Sequence, residues 1–470
     1  MAGPPLGRLF SIASPLFLEL ALGIGTGLIG TSMAAHISDP TAAAYALANN
    51  VAAMLFILFR IVGAGVSVVV TQSLGSGRRD LADSIARAVL GAGTWVGGLT
   101  ALVALAGAAP LLRLLNAPPE VMPLAVPFLM AIAPAILLDA WLASMSSITR
   151  AHFHARDALN ITIITQVASI GLAIPLMFGW AGLPPLGLIG YAIAIAIARV
   201  IAVRLYLIIW RKRLGLVPAL HDWWQLKSDE LAAVLRIGLP GAAENIAYRL
   251  AFMFSIAAAG LLGTEALATQ AYALQITYVA LIFSLALGFA VEILVGHMIG
   301  AGHLHDAHHL VRRTMGWGFT ISIVAATVSA LLAPWTLRLF TDNPSIIANG
   351  MLLLWLSVIV EPGRAFNLII INALRATGDA RYPVMAGAAS MIIVLGGGSW
   401  VLGVHAGLGL AGIWIAYAAD EWIRGLLMWR RWQRHDWLPY ARATRRRLRQ
   451  GAAPQNPTAN GATPLPASGE

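Results

Sequence analysis

Apolar residues gather in long runs, near residues 11–35, 43–73, 88–109, 121–148, 160–180 and 186–210. They do so again near 237–263, 267–299, 314–337, 346–373, 383–404 and 408–430. About 20 apolar residues in a helix cover the roughly 30 Å of bilayer hydrocarbon, so each run predicts a membrane-spanning helix. The longest polar break, Arg211 to Arg236, holds Arg211-Lys212-Arg213 and the pair Trp223-Trp224, with six runs on either side. The pattern predicts an all-α integral membrane protein of twelve transmembrane helices in two six-helix lobes. The first lobe spans residues 1–210, a linker 211–236, the second lobe 237–435 and a tail 436–470. In the tail, Arg442, Arg445, Arg446, Arg447 and Arg449 precede a Pro/Gly/Ala/Asn stretch whose composition predicts disorder.

One register recurs through the two halves. An offset of 225 carries Pro15 onto Pro240, Glu19 onto Glu244, Gly63 onto Gly288, Gly75 and Gly77 onto Gly300 and Gly302, and Arg87 onto Arg312. It continues through Gly91 and Gly316, Gly93 and Gly318, Arg113 and Arg338, to Arg150 and Arg375. Near the end of each half it slips to 222, pairing Gly187-x-x-Gly190 with Gly409-x-x-Gly412. An even number of spans per copy sends both copies into the membrane the same way round. The duplication therefore predicts a pseudo-twofold axis along the membrane normal and a cavity between twin bundles, the architecture of a carrier.

Charge refines this picture. Only 11% of the chain is charged and 59% is hydrophobic, against about a quarter charged in soluble proteins, which disfavours a large soluble enzyme. The net charge of +10 is not a nucleic-acid surface, because the basic residues are spread through short connections. Connections after even-numbered spans carry Arg78, Arg79, Arg87, Arg150, Arg156, Arg211, Lys212, Arg213, Lys227, Arg236, Arg312, Arg313, Arg375 and Arg381, whereas those after odd spans carry Arg113 and Arg338. Basic loops stay inside, so both termini are expected in the cytoplasm, with the chain in the cell (inner) membrane as a multi-pass monomer among lipids. Arg8 before the first run points to an uncleaved first helix. The absence of cysteine excludes disulfides and thiolate metal sites. His303, His305, His308 and His309 read as a solvated turn, so no metal or cofactor is expected. Gly75-x-Gly77 lacks the strand, helix and lysine of a phosphate loop, leaving ATP-driven transport without support.

Charges inside the spans are the candidate chemistry: Glu19, Asp139, Glu244, Glu292, Glu361, Asp420 and Glu421, with Arg60, Arg199, Arg204, Arg249, Arg364 and Arg424. Each costs about 3 kcal/mol at a bilayer centre, so each should face a cavity or another charge. Glu361 and Arg364 are three apart and should pair, as should Asp420 or Glu421 with Arg424. Asp420, Glu421, Arg199, Arg204 and Arg424 lie near helix ends, where long side chains snorkel to water. Glu244 has Tyr248 and no base one turn on, and Arg249 points elsewhere. It is the leading ion-coupling candidate, followed by Glu361, Glu292, Glu19 and Asp139. Asn245, Tyr248, Gln275, Tyr278, Asn367 and Arg364 are the candidates for lining a small-molecule cavity.

The segments GAGVSVVVTQSLGSGRRDLA (Gly63–Ala82), LGFAVEILVGHMIGAGHLHDA (Leu287–Ala307), GLPGAAEN (Gly238–Asn245), EPGRAFN (Glu361–Asn367) and ALRATGDARYP (Ala373–Pro383) resemble the multidrug and toxic compound extrusion family, in order and spacing over about residues 10–435. The resemblance implies alternating access driven by H⁺ or Na⁺, with export of organic, often cationic or amphipathic, compounds. It casts Glu244 as the seventh-helix acid that couples ion entry to substrate release. Two positions depart from the family. Many prokaryotic members carry an Asp where this chain has Gly30, leaving Glu19 as the acid of the first helix, and many carry an Asp near Arg364, where here Glu361 stands one turn earlier. The alternative is a flippase for lipid-linked precursors, gripping pyrophosphate with Arg60, Arg249 and Arg364.

Overall fold

A computed structural model describes residues 6–450 other than 116 and 183, with the side chains at 6, 57, 58, 60, 61, 64 and 181 outside the description. Twelve long helices stand where the twelve runs predict them. The first lobe holds α1 (Leu6–Ala35), α2 (Asp39–Gly75), α3 (Arg79–Ala106), α4 (Met122–Ala151), α5 (Ala155–Phe178) and α6 (Gly187–Ile209). The second holds α7 (Ser228–Leu261), α8 (Thr264–Ala301), α9 (Leu304–Leu331), α10 (Pro344–Thr377), α11 (Arg381–His405) and α12 (Gly409–Gln433). Among the described residues nine helices are long and apolar enough to cross a membrane on length and composition alone. Helices α2, α7 and α12 fall outside those nine, and α7 and α12 each carry several charged residues that lower mean hydropathy.

Two boundaries differ from the sequence expectation. Helix α7 begins at Ser228, so the last third of the predicted linker forms its first turns, with Asp229 and Glu230 at the N-terminal end of the helix dipole. Pro15 and Pro240 consequently lie inside α1 and α7, not at their starts. The basic tail forms a further helix, α13 (Leu438–Gln450). Ala441, Thr444 and Leu448 face inward while Arg442, Arg446 and Arg449 face outward, and this helical spacing drives the folding. The stretch expected to be disordered, 451–470, lies outside the described residues.

The internal repeat is visible in the packing. Helix α1 packs on α8 as α7 packs on α2, and α2 meets α8 between the lobes. At that crossing a Cβ added at Gly75 would meet the His297 carbonyl, and one added at its repeat mate Gly300 would meet the Gln72 carbonyl. Only hydrogen at both positions lets the two backbones touch. Gln72 Nε2 donates to the Ala376 carbonyl at 2.8 Å, and His297 Nε2 reaches the Ala151 carbonyl at 2.8 Å.

All these contacts lie at the end of the bundle that carries the basic connections. There, buried Leu9, Ile12 and Leu16 of α1 share one apolar core with α8, α9 and α10, while Val234 and Ile237 of α7 join the core of the first lobe. Toward the other end the cores separate: one draws only on residues between Met33 and Ala194, the others only on residues beyond Ala247. The lobes are thus fused at the basic end and share no core at the opposite end, among the described residues. Gly300→Leu is expected to weaken the fused end by about 1–3 kcal/mol through overpacking. A fall in melting temperature, with slower cross-linking of cysteines placed on α2 and α8 across this crossing, would show it.

Candidate ion-coupling and substrate sites

The repeat places the same ion pair in each lobe. Glu19 and Glu244 lie one turn after the internal prolines of α1 and α7, and Arg150 and Arg375 occupy the last turns of α4 and α10. Arg150 Nη1 donates to both oxygens of Glu19, at 2.9 and 3.0 Å. Arg375 Nη2 donates to Glu244 Oε2. Glu244 therefore has a basic partner after all, supplied by α10. Its own helix offered none, which is why local spacing missed it.

Between these two pairs lies Glu292 of α8, 3% exposed. Arg375 and Arg150 are the cations that act on it, one from each lobe, and Ser67 of α2 stands beside it. Ser67 is the repeat mate of Glu292, so the two meet at the junction of the lobes. The group Glu19–Arg150, Glu292, Arg375–Glu244 holds three carboxylates and two guanidiniums. One monovalent cation, bound or covalently added as H⁺, would balance it.

The second lobe contains a further network. Arg364 Nη1 donates to Glu361 at 2.7 Å, and Arg364 Nε lies 3.4 Å from Glu421. Arg424 pairs with Glu421 at 3.0 Å and Asp420 at 2.6 Å, Asn367 Nδ2 donates to Glu421 at 2.9 Å, and Ser390 Oγ donates to Asp420 at 2.7 Å. These residues are buried. Asp420, Glu421 and Arg424 therefore do not snorkel; they are enclosed by α10 and α11. Tyr248 sits close to this network and stacks on Phe252 at 5.9 Å. Asn245 Nδ2 donates to the Gly241 carbonyl of its own helix. Gln275 and Tyr278 are exposed on the N-terminal half of α8.

In the first lobe Arg199 also does not snorkel. Its Nε lies 2.6 Å from Asp139 Oδ1, and the side chains remain 22% and 27% exposed. They border a cavity of about 180 Å³ lined also by Glu19, Thr162, Gln166 and Tyr206. At Gly30 a side chain is blocked: a Cβ would run into the hydroxyls of Tyr45 and Tyr191. These two hydroxyls are hydrogen-bonded to each other at 3.0 Å. The candidate acids within the spans of this lobe, Glu19 and Asp139, lie elsewhere. The signal that would have found the partners was the repeat itself, since Arg150 and Arg375 share the register of Glu19 and Glu244.

Comparison with known proteins supplies the family. The sequence profile of the MatE family matches residues 15–175 and 240–398. The chain is 33% identical over 433 residues to the uncharacterized transporter YisQ of Bacillus subtilis, covering 92% of this chain and 94% of that protein. It is 28% identical to the probable multidrug resistance protein NorM of Bradyrhizobium diazoefficiens, covering 89% and 91%. Among solved structures, the Vibrio cholerae MATE transporter VcmN in its bent form has the same fold, with a TM-score of 0.84, 21% identity and coverage of 93% and 97%. This chain belongs to the MatE family, and with it to the two-lobed, twelve-helix membrane transporters of the multidrug efflux class.

Proposed function

We propose that this protein is an antiporter that exports organic, cationic or amphipathic compounds in exchange for H⁺ or Na⁺, with its basic end and both termini in the cytoplasm. The observation that carries the coupling is the odd carboxylate: three acids, Glu19, Glu292 and Glu244, against Arg150 and Arg375. Enclosing an unbalanced charge between packed helices costs several kcal/mol. With the lobes fused at the basic end, the group is enclosed and a cation must fill it. When the basic end opens, water reaches the group and the cation leaves on that side. Cation binding thus favours the state open away from the cytoplasm, in which the exported compound is released. One pH unit supplies about 1.4 kcal/mol for this exchange. If the compound is a monovalent cation, one-for-one exchange moves no net charge, whereas a neutral compound gains about 2.3 kcal/mol per 100 mV.

The flippase reading needs guanidiniums converging on an open cavity. Arg364 is already closed off by Glu361 and Glu421, Arg249 is exposed, and the side chain of Arg60 lies outside the described residues. That arrangement weighs against it. Uptake into proteoliposomes under an imposed pH or Na⁺ gradient tests the coupling. Glu292→Gln balances the group without an ion, so gradient-driven uptake should fall at least tenfold. Unchanged gradient-driven uptake in this variant would refute the assignment.

A further inference from the structure

The two lobes carry the same interior ion pair with its polarity inverted. By the offset of 225, Asp139 of α4 corresponds to Arg364 of α10; by the offset of 222, Arg199 of α6 corresponds to Glu421 of α12. The second offset is a structural equivalence. Gly190 and Gly412 each sit against the carbonyl of the preceding segment, Leu176 and Leu402, where a Cβ would clash. Asp139–Arg199 and Arg364–Glu421 are thus the same contact between the same two helices, with acid and base exchanged.

The surroundings differ in one decisive way. In the second lobe Arg424 fills the space beside this contact, bonded to Asp420 and Glu421, and its side chain and that of Glu244 both lie beside Gly387. The first lobe has Ala202 in place of Arg424 and Ala198 in place of Asp420. Ala202 lines the cavity, together with Glu19, the counterpart of Glu244. The cavity therefore occupies the volume that a guanidinium fills in the other lobe. The second-lobe pair is sealed at 10% and 7% exposure, whereas Asp139 and Arg199 remain open to this space.

What fits follows from the inversion. A cation placed where Arg424 would lie gains Glu19 and Asp139 as neighbours. It also meets Arg199, where Arg424 meets Glu421. Arg150 already neutralises Glu19 and Arg199 neutralises Asp139, so a bare cation or a bare anion leaves one unbalanced charge in the space, whereas a zwitterion leaves none. We infer that the first-lobe cavity binds the head group of a zwitterionic compound, its ammonium or guanidinium toward Glu19 and Asp139 and its carboxylate toward Arg199. Thr162, Gln166 and Tyr206 supply neutral hydrogen-bonding groups around it. This deepens the proposed export function by naming a substrate class, and rests on that reading for the direction of transport; the binding itself does not.

The test is equilibrium binding to the purified full chain in detergent with no ion gradient. The probes share one ring: phenethylamine as the cation, phenylalanine as the zwitterion and hydrocinnamic acid as the anion. Binding is read from tryptophan fluorescence and ligand-induced thermal shift. Phenylalanine should bind at least tenfold more tightly than either single-charge congener. Arg199→Gln should erase its advantage over phenethylamine, and Asp139→Asn should weaken both. Ala202→Arg, which installs the residue of the other lobe, should abolish binding; should it fail to fold, Arg199→Gln alone decides. Equal affinities for the three probes, or a phenylalanine preference that survives Arg199→Gln or Ala202→Arg, would overturn the assignment. Failure of ion coupling would appear instead as normal binding with gradient-independent uptake.

Discussion

Glu244→Gln is expected to abolish gradient-driven export while leaving exchange of substrate across the membrane at equilibrium. The reason is a charge count. Removing one carboxylate leaves Glu19 and Glu292 facing Arg150 and Arg375, a balanced group that encloses no surplus charge and needs no ion. Breaking a buried pair costs about 3–5 kcal/mol when one partner is left alone; here Glu292 remains near Arg375, so the loss in stability should fall below that range. The double variant Glu244→Gln/Arg375→Met restores an odd carboxylate, with Glu19 and Glu292 facing Arg150 alone. Ion dependence should return in it. Gradient-driven and counterflow uptake in proteoliposomes, measured on both variants, separate this account from a purely structural role. A structural role predicts that the single variant loses stability and keeps its ion dependence, and that the double variant changes only stability.

The largest loss of stability is expected from Arg424→Met. Its guanidinium bonds Asp420 at 2.6 Å and Glu421 at 3.0 Å, and both acids are buried. Methionine keeps much of the volume and removes the charge, so three carboxylates, Glu361, Asp420 and Glu421, are left with Arg364 as the remaining guanidinium of the network. The expected cost is about 3–5 kcal/mol, seen as a sharp fall in melting temperature and in folded yield. Adding Asp420→Asn removes one of the stranded charges and should recover part of the loss. Helix α6 shows why this is plausible chemistry for the fold: Ala198 and Ala202 stand at the corresponding positions, so neither the acid nor the base is needed to pack such a helix. A melting temperature within a degree of the parent in Arg424→Met would show that the network is hydrated and weak.

Much of the architecture was legible from one sequence because the bilayer is a severe solvent. It requires apolar runs of a fixed length and leaves basic residues to the connections, so the spans could be read locally. The repeat register was legible as well, and with it Gly75 and Gly300, which the fold uses at the crossing of α2 and α8. The candidate site was legible only in part. Glu361 with Arg364 and Asp420 with Arg424 are neighbours on single helices, and the structure confirms both pairs. Glu244 looked unpaired because its base comes from a residue far along the chain, and Arg199 looked like a snorkelling residue because Asp139 lies on another helix. The helix of the arginine-rich tail was not anticipated because it is held by a few small or apolar residues that meet the bundle, a surface absent from any local window.

By itself, then, the sequence determined the twelve spans, their duplication and which charges are committed to the membrane interior, since hydrophobic transfer acts on each segment alone. The tertiary structure decided how those charges are shared. It matched Glu19 with Arg150 and Glu244 with Arg375, set Glu292 between them, and left open beside Asp139 and Arg199 a space that Arg424 fills in the other lobe. Coulomb attraction acts between helices that are neighbours only after packing, and no spacing along one helix records it.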